Sequence, residues 1–136
     1  MVAHWCRMQR DIADEYLSRQ PITFGALGAS PAWYLPPYVS LWAVESIQAR
    51  GKVGWWVICG DLPTDYVSGL GNENPRAAVA AFANRWLEIA TAMESGQSNA
   101  QYSIGSEGDA NELAPALRAR AQILAEWAAD DTIWED

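Results

Sequence analysis

The chain has 136 residues, half of them apolar and eight of them tryptophan, enough to bury a core as a single domain spanning 1–136 and to exclude intrinsic disorder. Its 17 acidic against 9 basic residues leave a formal charge of −8, which repels phosphate backbones and anionic lipid, so neither a nucleic-acid nor a membrane partner is expected. An acidic surface suits a basic protein partner and plain solubility alike.

Residues 3–19 read as a helix, because Trp5, Gln9, Ile12, Ala13 and Tyr16 recur on one stripe while Arg7, Arg10, Asp14 and Arg19 fall largely outside it. Pro21 discourages continuation. The same N-terminal stretch lacks the apolar core of a signal peptide, and no run of about 18 apolar residues follows, so the expected location is the cytoplasm. Residues 20–37 carry Gly25, Gly28, Pro31, Pro36 and Pro37 among Phe24, Leu27, Trp33 and Tyr34, the chemistry of a packed loop.

Residues 38–47 alternate in a way that fits a strand, with a short helix as the competing reading; their β-branched and aromatic content favours the strand. A hairpin turn over 48–52, with Gly51 free to take a positive φ, leads into the clearest strand of the chain, 53–59. Both faces of that segment are apolar, which predicts a central strand covered on both sides. Asp61–Asp65 then reads as a turn and Tyr66–Ser68 as a short third strand, before Gly69 and Gly71 reopen the chain into a loop.

Residues 75–95 carry the strongest helix signals: Asn74 as N-cap, Pro75 in the first position, a stripe of Val79, Phe82, Trp86, Ile89 and Met93, and Gly96 as a stop. Residues 96–110 are polar and glycine-rich, with a short edge strand expected at Tyr102–Ile104. A last helix runs from about Asn111 to Ala129, tolerating Pro115 near its first turn. An acidic tail, 130–136, contains Trp134. The expected fold class is α+β: a small antiparallel sheet, a hairpin plus short strands, packed with an N-terminal helix and two C-terminal helices.

Little in the chain points to catalysis. Cys6 and Cys59 form no Cys-x-x-Cys pair and His4 is the only histidine, so no zinc signature, and no metal or other cofactor, is expected. A Cys6–Cys59 disulfide is not the expectation, since nothing else points to an oxidising compartment. No nucleophile elbow, phosphate loop or His-Glu-x-x-His motif occurs. The best acidic pair is Asp61 and Asp65, flanking Thr64 and followed by Tyr66; two close carboxylates can divide acid and base roles. Asp61 is equally a turn former and Thr64 a local cap, which leaves Asp65 as the stronger functional candidate. Glu45 either faces solvent or pairs with Arg50, Lys52 or Arg76, and Arg76, unfavourable in a first helical turn, is expected to answer Asp61 or Asp65. Trp55 and Trp56 point to opposite faces of their strand, and core packing is the commoner role for both. Trp134 is either part of a solvated end or an anchor for a basic partner.

Several segments carry a resemblance: Trp5-Cys6, Pro31-Ala32-Trp33, Val44-Glu45-Ser46, the central Gly54-Trp55-Trp56-Val57-Ile58-Cys59-Gly60-Asp61-Leu62-Pro63-Thr64-Asp65-Tyr66-Val67, Pro75-Arg76, Arg85-Trp86, Glu112-Leu113-Ala114-Pro115 and Arg118. Across nearly its whole length the chain resembles an uncharacterised family of short bacterial proteins catalogued as a domain of unknown function. The resemblance implies a bacterial, intracellular setting and carries over no catalytic or binding residue.

Two functions are weighed on these grounds. A non-catalytic protein-binding module, of the immunity or antitoxin type that neutralises a partner, fits the negative charge, the missing catalytic groups and the available aromatic anchors. The alternative is a small-ligand binder or enzyme with a site around Asp61, Asp65, Tyr66 and Arg76, favoured by the polar residues that follow the best strand. The absence of a catalytic constellation leans the expectation away from an enzyme.

Overall fold

The computed structural model describes residues 2–94 and 110–134, and the chain falls into two compact units, Met1–Pro75 and Arg76–Asp136. The first holds helix α1 (Val2–Ser18) and four strands, β1 (Trp33–Leu35), β2 (Val39–Glu45), β3 (Val53–Gly60) and β4 (Leu62–Ser68). The second holds α2 (Pro75–Glu94), α3 (Ala110–Ala129) and one 3-10 turn, Asp131–Ile133. The fold class is α+β. The edge strand expected at 102–104 lies outside the described residues.

The four strands form an antiparallel meander in the order β1-β2-β3-β4. Tight connections force that topology, since antiparallel neighbours can be joined by a few residues. Pairing of Val39 with Gly60 and of Trp42 with Val57 sets the register of the two inner strands. One face presents Trp42, Val44, Val57 and Cys59 to Ala13 and Leu17 of α1, with Ile22, Phe24 and Leu27 of the following loop closing over the rest. Val39, Leu41, Trp56 and Ile58 alternate onto the opposite face and are equally buried. Residues 53–59 are therefore a central strand, and the segment 38–47 holds a strand, Val39–Glu45, rather than a helix.

Three elements differ from their sequence expectation. In α1 the buried positions are Gln9, Ala13 and Leu17, while Ile12 is exposed. Gln9 and Ala13 lie inward on the expected stripe, and the departure is at Ile12, which stands in water, while Leu17 is buried. The packed loop includes β1, a three-residue edge strand paired with β2, and its residues 25–28 also run along β2: Gly25 N–H donates to Glu45 O and Gly28 N–H to Ala43 O, both at 3.0 Å.

The expected turn at 61–65 is the third difference, because β4 already begins at Leu62. Gly60 makes the reversal abrupt. Its φ is +141°, and a Cβ there would lie 2.5 Å from the Tyr38 carbonyl oxygen, closer than any side chain tolerates. Pro63 fits within β4 because an edge strand has one side that needs no ladder donor.

In the second unit α2 and α3 run antiparallel. Arg76 at the start of α2 donates through Nε to Ala128 O and through Nη2 to Asp131 Oδ1, each at 2.6 Å. Arg118 of α3 grips Glu94 with both arms of its fork (3.1 and 2.6 Å) and reaches Thr91 Oγ1 at 3.0 Å. Planar two-point pairing of this kind orients as well as attracts. Pro115 is exposed and lies in the second turn of α3, where the missing N–H costs less than it would mid-helix. The acidic tail turns back on the helix: Trp134 donates its indole N–H to Trp127 O at 2.7 Å.

Gly60→Ala is expected to lower stability by more than about 1 kcal/mol, since Ala is strained at positive φ even before the Tyr38 contact is counted. Urea unfolding should show a lower midpoint at unchanged slope. An unchanged midpoint would mean that the β3–β4 reversal can form without a glycine.

Candidate functional site

The residues singled out from the sequence do not converge. Asp61 is exposed in the one-residue reversal, its backbone N–H donating to Tyr38 O at 2.9 Å. Thr64 is half-buried on β4. Asp65 is 0% exposed and, paired opposite Ile58, lies on the sheet face away from α1. Tyr66, the next residue, lies on the α1 face, its ring edge-on to Trp55 at 5.4 Å and tilted against Tyr16 at 6.0 Å. Adjacent strand residues must diverge in this way, so Asp65 and Tyr66 cannot serve one pocket. Glu45 sits at the far end of the sheet from Asp61, where its Oε2 accepts the Gly51 N–H at 2.9 Å and ties the β2–β3 turn. Of the two alternatives open for Glu45, pairing with Arg50, Lys52 or Arg76 does not form, and its contact is to backbone. Arg76 answers Asp131 rather than Asp61 or Asp65, and Trp134 caps its own helix. Neither Trp55 nor Trp56 is freely exposed: the first is half-buried, the second buried.

A different cluster, not anticipated from the sequence, gathers four polar side chains between α1 and the sheet. Ser40 Oγ accepts the Trp42 indole N–H at 2.9 Å and has its own proton to share between Gln9 Oε1 at 3.2 Å and the Cys59 carbonyl at 3.3 Å. The Cys59 thiol lies 3.3 Å from Ser40 Oγ and 3.5 Å from the Gln9 carbonyl. Burial pushes the Cys59 thiol up to about 11, against the smaller lowering effect of its hydrogen bonds to Ser40 and Trp42. A thiol so buried stays protonated at neutral pH and is a poor nucleophile. The cluster therefore holds structure together: each polar atom taken from water finds a partner, which is the condition for burying it at all. Cys6 and Cys59 are both free thiols.

The open surface offers a groove of about 280 Å³ at the hairpin end of the sheet. Val53 and Trp55 form its apolar part and Thr23, Ser46 and Ser68 its polar walls. Trp55 is fixed there by donating its indole N–H to Thr23 O at 3.1 Å. Ile47 and Leu70 also line the groove, 60% and 89% exposed. Leu70 follows Gly69, which is pressed on the β3 backbone, where a Cβ would come within 2.2 Å of Val53 O. No ionisable side chain lines this groove. Among the described residues no three His, Cys, Asp or Glu side chains gather to hold a metal ion, and no helix is long and apolar enough to cross a membrane.

The chain belongs to a family known only as a domain of unknown function, DUF4826, whose family model matches residues 1–134. No curated protein and no solved structure matches it.

The polar cluster has a pH signature. Cys59 is protonated in the folded protein up to about 11, against an ordinary value of 9.0. Its contribution to stability is thus fully present below pH 9.0 and is lost as pH rises from there through about 11. Unfolding measured across that window should show an alkaline loss that Cys59→Ala removes. In native protein a thiol reagent should modify Cys6 alone, with Cys59 reacting only in denaturant; two fast thiols at neutral pH would contradict the burial argument.

Proposed function

For this member of a family without an assigned activity, we propose that the chain is a non-catalytic module that binds a basic protein, using the groove beside Trp55 as its apolar anchor point. The observation that carries the reading is Leu70, 89% exposed at the tip of a glycine-flanked loop, with Ile47, 60% exposed, also lining the groove. A large aliphatic side chain this exposed adds nothing to the buried core. Covering one on binding contributes about 1.5–3 kcal/mol. Exposed apolar surface with polar surroundings marks interaction sites.

The partner's charge follows from the chain's own −8. A basic protein is drawn in by that field and accelerated toward contact, and its affinity falls as salt screens the attraction. A bacterial inhibitor that neutralises a toxic or regulatory protein, in the manner of immunity and antitoxin proteins, combines these features in a cytoplasmic setting. The groove's lack of ionisable groups favours binding over chemistry, since acid–base and nucleophilic catalysis both need a titratable side chain in reach. A ligand site or enzyme centred on Asp61, Asp65, Tyr66 and Arg76 is disfavoured by the opposed faces of Asp65 and Tyr66.

Affinity capture from the native host, at low and at high salt, with wild-type protein and with Leu70→Asp, tests the proposal. The expected result is a basic partner held more strongly at low salt and weakened at least about tenfold by Leu70→Asp, while the thermal midpoint of the variant stays that of the wild type. No partner at either salt, an acidic partner, or equal retention by the variant would overturn it.

A further inference from the structure

A second and larger cavity, of about 500 Å³, opens on one flank of α1. Its size falls within the roughly 300–1,000 Å³ of small-molecule pockets. One wall is helical. Ala3, Cys6, Arg7 and Arg10 recur at i, i+3, i+4 and i+7, so they share one helix flank, and all four line the cavity. The other wall is the segment entering β1, with Ser30, Pro31 and Tyr34.

In a chain with 17 acidic and 9 basic residues, this lining holds two guanidinium groups and no carboxylate. The first turn of α1 also carries no acidic residue. The two arginines differ in their ties. Arg10 donates through Nε to Gly28 O at 2.9 Å and through Nη2 to Leu27 O at 3.1 Å. Its planar group is thereby fixed against backbone, and an anion that meets its remaining N–H bonds does not have to order the side chain. Arg7 is exposed and, among the described residues, pairs with no carboxylate. Tyr34, 40% exposed, lies with its ring 6.3 Å from that of Trp5, which gives the cavity a braced aromatic side next to Pro31.

We propose that this cavity is a binding site for a small organic anion, with its carboxylate or phosphate head on Arg7 and Arg10 and its apolar body against Pro31 and Tyr34. Charge-assisted pairing to a guanidinium suits either oxyanion. The aromatic and proline surfaces select ligands larger than the bare ion. This site is separate from the groove at Trp55 and does not depend on a protein partner.

Titration of the full chain with phenyl phosphate, benzoate and inorganic phosphate tests the site, following the Arg10 Nε–H and the Ser30 and Tyr34 amide resonances together with alkylation of Cys6 by iodoacetamide. The expected result is saturable shifts with at least one organic anion, tighter than inorganic phosphate, accompanied by protection of Cys6. Tighter phenyl phosphate assigns phosphate esters, and tighter benzoate assigns carboxylates. Arg7→Glu, at a position with no structural contact to lose, should weaken binding at least about tenfold with the thermal midpoint unchanged. The proposal is overturned if no probe saturates, if inorganic phosphate binds as tightly as both organic anions, or if Arg7→Glu leaves affinity unaltered.

Discussion

The first unit depends on how α1 is seated, and a single hydroxyl does most to decide that seat. Ser40 lies 0% exposed near the start of β2, where an unpaired hydroxyl would cost on the order of 1–3 kcal/mol. It is satisfied by Gln9 from the helix, Trp42 from its own strand and the Cys59 backbone from the next. Apolar packing alone would allow the helix to slide or roll over a sheet face of Trp42, Val44 and Val57 with little change in buried area. A polar cluster whose members must meet at hydrogen-bond distance admits one placement. It holds Gln9 inward on the stripe the sequence marked, with Ala13 and Leu17 buried beside it and Ile12 in water.

That placement has consequences at the surface. With Gln9, Ala13 and Leu17 facing the sheet, the Ala3–Arg10 flank is turned toward the segment before β1, and Arg10 reaches the carbonyls of Leu27 and Gly28. The anion cavity is the space left between those two walls. The groove at Trp55 is separate. Gly69 closely approaches Val53 just before the exposed Leu70, while the Thr23 carbonyl anchors the indole of Trp55. The cavity on α1 thus follows from helix seating, the groove lies beside a tight strand-to-loop contact, and neither is lined by a carboxylate.

Segments governed by local rules were legible without coordinates. The continuous apolar run 53–59 could only be an inner strand, since a one-faced strand would alternate with polar residues. Asn74-Pro75 marked the start of α2 to the residue, because capping chemistry is local. Where local and long-range signals disagree, composition misleads. Asp61-Leu-Pro-Thr-Asp65 has turn chemistry, yet four of its five residues are strand, because pairing with β3 outweighs weak turn preferences and an edge position accepts Pro63. Trp33–Leu35 is too short to show a period and becomes a strand only because β2 lies beside it. In the candidate site the polarity of Asp65 and Tyr66 was visible, but their separation onto opposite faces required knowing that the segment is a strand.

By itself the sequence determined the α+β class, the three helices, the central strand, the acidic character and the lack of a metal or nucleophile motif. Each of these follows from residue chemistry or from a spacing of a few positions along the chain. Only the tertiary structure decided that Ile12 of α1 stands in water, that Asp65 is inaccessible, that Arg76 answers Asp131, and that two arginines share a cavity with Ser30 and Tyr34. Those facts join residues tens of positions apart. Their energies depend on distances of a few ångströms that no local pattern encodes.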